Sequence, residues 1–100
     1  MAPQDHPICH GICAAMEAEP KKGVGSLVLK LIDLFKVNMD SLRTIFPGED
    51  AIVAFAKEQF DKYIRPIRVL PSFVGEAAEK AFDDGVWWAV EQAIRALVPG

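Results

Sequence analysis

Residues 24–46 repeat their apolar side chains at the pitch of an α-helix. At 100° per residue, eleven apolar side chains of this segment share one continuous arc of roughly 160°. An arc of that width contacts two neighbouring helices at once, so we expect this segment in the middle of a helical bundle. The arc consists of Val24, Leu27, Val28, Leu31, Ile32, Leu34, Phe35, Met39, Leu42, Ile45 and Phe46.

Prolines and glycines divide the rest of the N-terminal half into a short helix and a linker. Pro7 suits the first turn of a helix, with Asp5 or His6 as its cap, and predicts a helix over about residues 7–19. Residues 20–23, which begin with a proline and end with a glycine, predict a linker. We therefore expect the long second helix to begin near residue 24 or 26 and to end before Pro47-Gly48.

Two further helices are predicted after this turn. Glu49 favours a helix N-terminus at that point, and Pro66 ends the third helix at about residue 65. Residues 66–71 are apolar, and we expect them to be extended and to lie across the bundle. Ser72 is the predicted cap of the last helix, which runs to about Val98. Whether this last stretch is one helix or is split at residues 84–85 stays open.

These segments predict an all-α fold: a small antiparallel helical bundle of three long helices plus a short N-terminal helix. A length of 100 residues and a hydrophobic fraction of 51% supply one core, so we expect a single domain over residues 1–100. Residues 1–22 form the short helix and linker of this domain. An alternative is that they are only loosely attached to the rest of it. Short connections favour antiparallel neighbours.

Charge and hydropathy exclude several classes of protein. A net charge of −3 argues against a nucleic-acid binder, which would normally show a basic face. Lys30 and Asp33 interrupt the most apolar segment, so no transmembrane span is expected. The first ten residues lack the basic and apolar regions of a secretory signal. Two cysteines make no disulfide framework, and a cytoplasmic setting is therefore the expectation.

Opposite charges accumulate in the third and fourth helical segments. Residues 57–68 contain four basic and two acidic side chains, whereas residues 76–95 contain two basic and five acidic ones. We expect such complementary segments to pair within the bundle or between copies of it.

Both histidines and both cysteines of the chain lie within eight residues: His6, Cys9, His10 and Cys13. On a helix these four side chains share one face, and thiolate with imidazole suits Zn or Cu. One helix cannot surround a tetrahedral ion, so a metal site would need a second helix or a second copy of the chain. The alternatives are cysteines that pack as small apolar residues, redox chemistry, and a disulfide between the two cysteines.

The last helix carries two adjacent tryptophans and a stripe of small residues. Trp87 points with Val90 and Ile94 and is predicted to lie in the core. A small-residue stripe lets two helix backbones approach closely. The stripe consists of Ala78, Ala81, Gly85, Ala89, Ala93 and Ala96.

Trp88 projects from the polar side of that helix, so either a neighbouring element covers it or it anchors a partner. Leu29 and Val37 are likewise out of place on the charged side of the second helix. The predicted partner-binding residues are Trp88, Leu29, Val37 and Arg95.

The sequence favours a non-enzymatic helical protein that acts by self-association or by binding another protein. The serines and threonines have no histidine beyond position 10 to activate them, and no catalytic residue or cofactor is predicted. The alternative is a metal-binding or redox-responsive protein that uses the N-terminal histidines and cysteines. A third interpretation is attachment of the second helix to a membrane surface, which its mixed charges disfavour.

Overall fold

The computed structural model describes residues 2–67, 73 and 75–99, and it confirms the all-α bundle predicted from the sequence. No strand occurs among these residues, and a short 3₁₀ turn over Pro3–Asp5 precedes the first helix. The α-helices are α1 (Pro7–Ala18), α2 (Val24–Ile45), α3 (Glu49–Gln59) and α4 (Glu76–Leu97).

α1 begins where the proline and its cap predict. His6 is the cap: its imidazole Nδ1 accepts the backbone N–H of Ile8 at 3.1 Å, which satisfies one donor that the first helical turn leaves free. Three side chains of α1, Cys9, Ile12 and Met16, are fully buried. α1 therefore contributes directly to the core.

α2 lies at the centre of the bundle, as its wide apolar arc predicts. Its buried side chains follow one another at steps of four and three residues, which keeps them on one face. An aromatic cluster joins α2 to α3, because the Phe55 ring lies 5.6 Å from that of Phe35 and 5.4 Å from that of Phe46. The buried residues of α2 are Leu27, Leu31, Phe35, Met39 and Leu42.

The chain beyond α3 departs from the predicted single helix. A π-helical turn over Phe60–Ile64 follows α3, and a 3₁₀ turn over Arg65–Ile67 follows that. The wider turn still brings Phe60, Tyr63 and Ile64 into the core. The extended conformation predicted from residue 66 is wrong for Pro66 and Ile67, because the chain turns there, which leaves Pro66 exposed and packs the half-buried Ile67 against the core. Residues 68–71 lie outside the described residues.

α4 is one unbroken helix through residues 84–85. It begins at Glu76, and Gly75 rather than Ser72 stands at its N-terminal boundary; Ser72 lies outside the described residues. α4 runs antiparallel to α3, because Arg95 near its end pairs with Glu49 at the start of α3.

The C-terminal ends of α2 and α4 lie together. Arg43 of α2 donates to the carbonyl oxygens of Leu97 and Val98, which the end of a helix leaves without partners. α4 thus packs on α2 and α3 along one side, and its other side faces outward.

Candidate interaction surface on α4

The outward side of α4 carries eight exposed residues and no charged side chain among them. They lie within roughly 60° on either side of Gly85 when α4 is viewed down its axis. We call this surface the α4 outer face. It consists of Ala78, Ala81, Phe82, Gly85, Trp88, Ala89, Gln92 and Ala96, all of which are exposed.

Two aromatic side chains stand at opposite edges of the α4 outer face. Trp88 is 64% exposed and Phe82 is 46% exposed. Between them the surface is formed by alanines, one glutamine and Gly85. A Cβ atom added to Gly85 would meet no other atom of residues 2–67, 73 and 75–99 within 4 Å, so the packing of these residues does not require a glycine there. The result is a shallow apolar strip with a large ring on each side.

On the Trp88 side of this face, charged residues pair with one another, and Glu79 lies on the Phe82 side. Lys80 Nζ lies 2.8 Å from Asp84 Oδ2, and this hydrogen bond lowers the pKa of Asp84. Further along, Arg95 Nε lies 2.9 Å from Glu91 Oε2. Each charge is thereby offset by a neighbour, and the centre of the face remains neutral.

Arg95, a predicted contact residue, has carboxylate partners within the bundle. Its Nη1 lies 2.8 Å from Glu49 Oε2 and 3.0 Å from Asp50 Oδ1, in addition to the contact with Glu91. Hydrogen bonds to Asp50, Glu91 and Glu49, in that order of size, raise the pKa of Arg95 further above its ordinary value. The structure therefore places Arg95 at the edge of the α4 outer face, where it ties α4 to the start of α3.

The two tryptophans have different surroundings. Trp87 lies in the core as predicted: its ring is 5.5 Å from that of Phe60, and Lys57 Nζ lies over it at 5.8 Å. Trp88 faces solvent, and no element formed by the described residues covers it. A helix step of 100° separates the two side chains.

Leu29 and Val37 are as exposed as Trp88, at 69% and 68%, but they lie on α2 in a polar setting. They project about 80° apart around the helix. Exposed Asp33, Lys36 and Asp40 surround them. The structure therefore does not join Leu29 and Val37 into an apolar strip like that of α4.

Two exposed aromatic residues were not among the predicted contacts. Phe82 lies at the edge of the α4 outer face, and a helical projection of residues 76–97 would have placed it beside the small-residue stripe. Phe73, 87% exposed, precedes α4 in a turn, where no periodicity marks it.

The histidines and cysteines near the N-terminus do not share one environment. Cys9 is buried, and its Sγ donates to the carbonyl oxygen of Pro3 at 3.5 Å. Cys13 is half-buried and donates to Gln59 Oε1 at 3.2 Å, while His10 is exposed and His6 caps α1.

The expected single face is therefore divided between core and solvent. Both cysteines are free, so the structure does not contain the disulfide that was one alternative. Burial, with a smaller contribution from Cys13, raises the pKa of the Cys9 thiol and favours its neutral form. Within the described part of the chain, no three His, Cys, Asp or Glu side chains are grouped so that they could hold a metal ion.

One open groove lies beside the N-terminal turn. It has a volume of about 300 Å³ and runs between residues 2–6 and the end of α2. Its lining offers one imidazole and one hydroxyl group, and the adjoining pocket, which shares His6, Thr44 and Ile45, adds Asp40 and Ser41. The lining residues are Ala2, Pro3, His6, Thr44 and Ile45.

Comparison of the chain with protein-family models, curated proteins and solved structures finds no match. Among the helices formed by the described residues, none has both the length and the apolar character needed to cross a membrane. The α4 outer face is thus argued from its own geometry and chemistry.

Proposed function

We propose that this protein is non-enzymatic and acts by self-association through the α4 outer face. The observation that carries the proposal is Trp88, which is 64% exposed on a helix face that has no charged side chain along its length. Exposed tryptophan is typical of the residues that dominate binding energy in protein interfaces.

The exposed area of Trp88 is large enough to contribute to the free energy of association. A large aromatic side chain buries about 150–250 Å² when fully covered, and apolar area contributes about 25 cal/mol per Å². Covering the exposed part of Trp88 would then contribute about 2–4 kcal/mol. The loss of translational and rotational freedom on association costs more than this, so the rest of the α4 outer face has to contribute as well, and we expect a weak dimer.

The chemistry of the α4 outer face suits binding rather than catalysis. Alanine, glycine, glutamine and aromatic side chains provide contact area, and they include neither a nucleophile nor a general base. Attachment to a membrane through α2 is less well supported, because the large apolar side chains of its arc, such as Leu31 and Phe35, lie in the core. Metal binding is less well supported because Cys9 is buried as a neutral thiol.

Sedimentation equilibrium over a wide concentration range tests the proposal. We expect the wild-type chain to pass from monomer to dimer, and we expect Trp88→Ala to weaken association by roughly 10–100-fold. Leu29→Ala is the matched control, since it removes an equally exposed apolar side chain from α2 and should leave association unchanged. A wild-type chain that stays monomeric at all concentrations would contradict the proposal.

A further inference from the structure

We propose that α1 contains a site of reversible oxidation, at which Cys9 and Cys13 form a disulfide with a hydroperoxide as the oxidant, and α1 opens around Gly11. Oxidation of α1 does not depend on the association proposed for α4. Three features of the structure support the site: the unequal exposure of two neighbouring thiols, the hydrogen bonds that these thiols donate, and the glycine that lies between them.

The two thiols are neighbours on α1, but solvent reaches them differently. Cys9 and Cys13 lie one helical turn apart. Burial and, to a smaller extent, the charge of Cys13 raise the pKa of the Cys9 thiol, so the two sulfur atoms are within electrostatic reach of each other. Cys13 is half-buried, whereas Cys9 is fully buried. A hydroperoxide therefore reaches Cys13 first, and Cys9 is the thiol placed to react next.

The oxidation proceeds in two steps. The Cys13 thiolate attacks one oxygen of the hydroperoxide, and the O–O bond breaks. The other oxygen leaves with a proton, as an alcohol or, from hydrogen peroxide, as water, and Cys13 becomes a sulfenic acid. The Cys9 sulfur then attacks the Cys13 sulfur, the S–O bond breaks, and hydroxide leaves with the proton of Cys9 as water. Together the two thiols have given two electrons to the peroxide.

A regular α1 does not allow the second step. The Cβ atoms of residues four apart on a helix are about 5–6 Å from each other, whereas a disulfide requires about 3.5–4.5 Å. The bond therefore forms only when the chain between Cys9 and Cys13 leaves helical geometry, and the bond then keeps this turn open. Ile12 and Met16 share the buried face of α1 with Cys9, so opening the turn also disturbs the packing of α1 on the core.

Gly11 lies midway between the two cysteines, where α1 has to open. Glycine is the poorest helix former after proline. A Cβ atom added to Gly11 would meet no other atom of the described residues within 4 Å, so the packing of these residues does not require a glycine there. A helix that is weakest between its two thiols opens at that point at the lowest cost, which gives Gly11 a role.

Both thiols donate hydrogen bonds that a disulfide cannot make. The Cys13 Sγ donates to Gln59 Oε1 at 3.2 Å, and the Cys9 Sγ donates to the carbonyl oxygen of Pro3 at 3.5 Å. Gln59 is only 3% exposed, so loss of the thiol proton deprives a buried amide of this donor, which is costly. The reduced thiols thus hold α1 against α3 and the N-terminal turn, and oxidation releases both contacts.

Treatment of the full chain with a stoichiometric amount of hydrogen peroxide tests the site. The mass of the denatured chain should fall by two hydrogen atoms, and the backbone amides of α1 should exchange with solvent faster while those of α4 do not change. Dithiothreitol should reverse both effects. Cys13→Ser is the control for oxidation elsewhere in the chain, and the same treatment should change neither its mass in this way nor the exchange of α1.

Gly11→Ala tests the opening of α1. Alanine strengthens the helix of the reduced chain, so the equilibrium constant for forming the disulfide against glutathione should fall about fivefold. Gly85→Ala is the matched control, because Gly85 is also an exposed helical glycine with open space beside it. In dilute solution its equilibrium with glutathione should equal that of the wild-type chain.

The site is overturned if the treated chain keeps both thiols, forms a disulfide only between two chains, or carries a sulfinic acid on Cys13. The opening is overturned if the disulfide forms while hydrogen exchange in α1 stays as slow as in the reduced chain, or if Gly11→Ala matches the wild-type chain in glutathione. None of these results bears on association through α4, which sedimentation tests separately.

Discussion

α2 and α4 are both 22 residues long, yet they distribute their apolar side chains differently. α2 buries five large apolar residues and directs charges outward. α4 buries three, Trp87, Val90 and Ile94, together with the carboxylate of Asp83. Its other tryptophan, Trp88, faces solvent. α4 therefore buries little apolar surface in the core of its own chain and exposes Trp88 and Phe82. These two side chains provide contact area for another molecule.

The outer faces of the two helices show that exposure alone does not mark an interface. Leu29 on α2 is slightly more exposed than Trp88 on α4. Charged side chains lie one helical turn from both residues, Asp33 beside Leu29, and Asp84 and Glu91 beside Trp88. The two carboxylates beside Trp88 are paired with Lys80 and Arg95, and Gly85 lies on its other side. The neighbours of an exposed apolar residue decide whether it can be covered at little cost.

The largest predicted effect contrasts the inside of α2 with the outside of α4. Phe35→Ala should lower the free energy of unfolding by about 3–5 kcal/mol, because it leaves a cavity in a fully buried aromatic cluster. Trp88→Ala should change it by no more than about 0.5 kcal/mol, although it removes a larger side chain. Urea denaturation at a concentration where the chain is monomeric measures both.

A loss of stability in Trp88→Ala as large as that in Phe35→Ala would break the comparison. It would mean that Trp88 packs within its own chain, so that α4 has no free outer face.

The next effect contrasts two ion pairs of α4. Asp83 is almost fully buried, and its Oδ2 lies 3.2 Å from Arg65 Nη1. Arg65→Met should cost about 1–3 kcal/mol, because it removes one cationic partner of a buried carboxylate. Lys80→Met removes the partner of the exposed Asp84 and should cost no more than about 0.5 kcal/mol. Chemical denaturation of the two variants side by side gives the difference, and equal losses would contradict this distinction.

The smallest effect concerns α1, where the thiol of Cys9 is buried and that of Cys13 is partly exposed. Because the folded-state pKa of Cys9 is raised, the unfolded chain releases this proton first as the pH rises. The contribution of Cys9 to the free energy of unfolding is therefore fully present below about pH 8.5, the ordinary pKa of a thiol. It is lost as the pH rises through the pKa of Cys9 in the folded chain. The free energy of unfolding should decline in this range, and Cys9→Ala should flatten the decline.

Thiol labelling provides an independent check of the same contrast. Cys13 should react with a thiol reagent before Cys9, because only Cys13 is partly exposed. Faster labelling of Cys9 would contradict its burial.

Much of the fold follows from the sequence because helical periodicity and proline positions act locally. The bounds of α2 and the start of α1 follow from residues next to them in the chain. The π-helical turn over Phe60–Ile64 does not, because it depends on which side chains the other helices leave room for.

The candidate surface is only partly visible in the sequence. Trp88 stands out because it lies on a polar side of its helix, and the small-residue stripe is likewise apparent. That Leu29 and Val37 lie apart and that Phe82 borders the stripe follow from helical projection, whereas the exposure of Phe82 depends on how the helices are rotated in the bundle. The division of Cys9 and His10 between core and solvent depends on the same rotation.

Fluorescence of Trp88 as its only tryptophan tests the central claim most directly. Trp87→Phe leaves Trp88 as the sole indole, and Trp88→Phe leaves Trp87 as the control. As the concentration rises, the emission of Trp88 should shift to shorter wavelength and become harder to quench with acrylamide, because a second copy covers the ring, while the emission of Trp87 stays constant. Emission from Trp88 that stays typical of a water-exposed indole at every concentration would contradict the account.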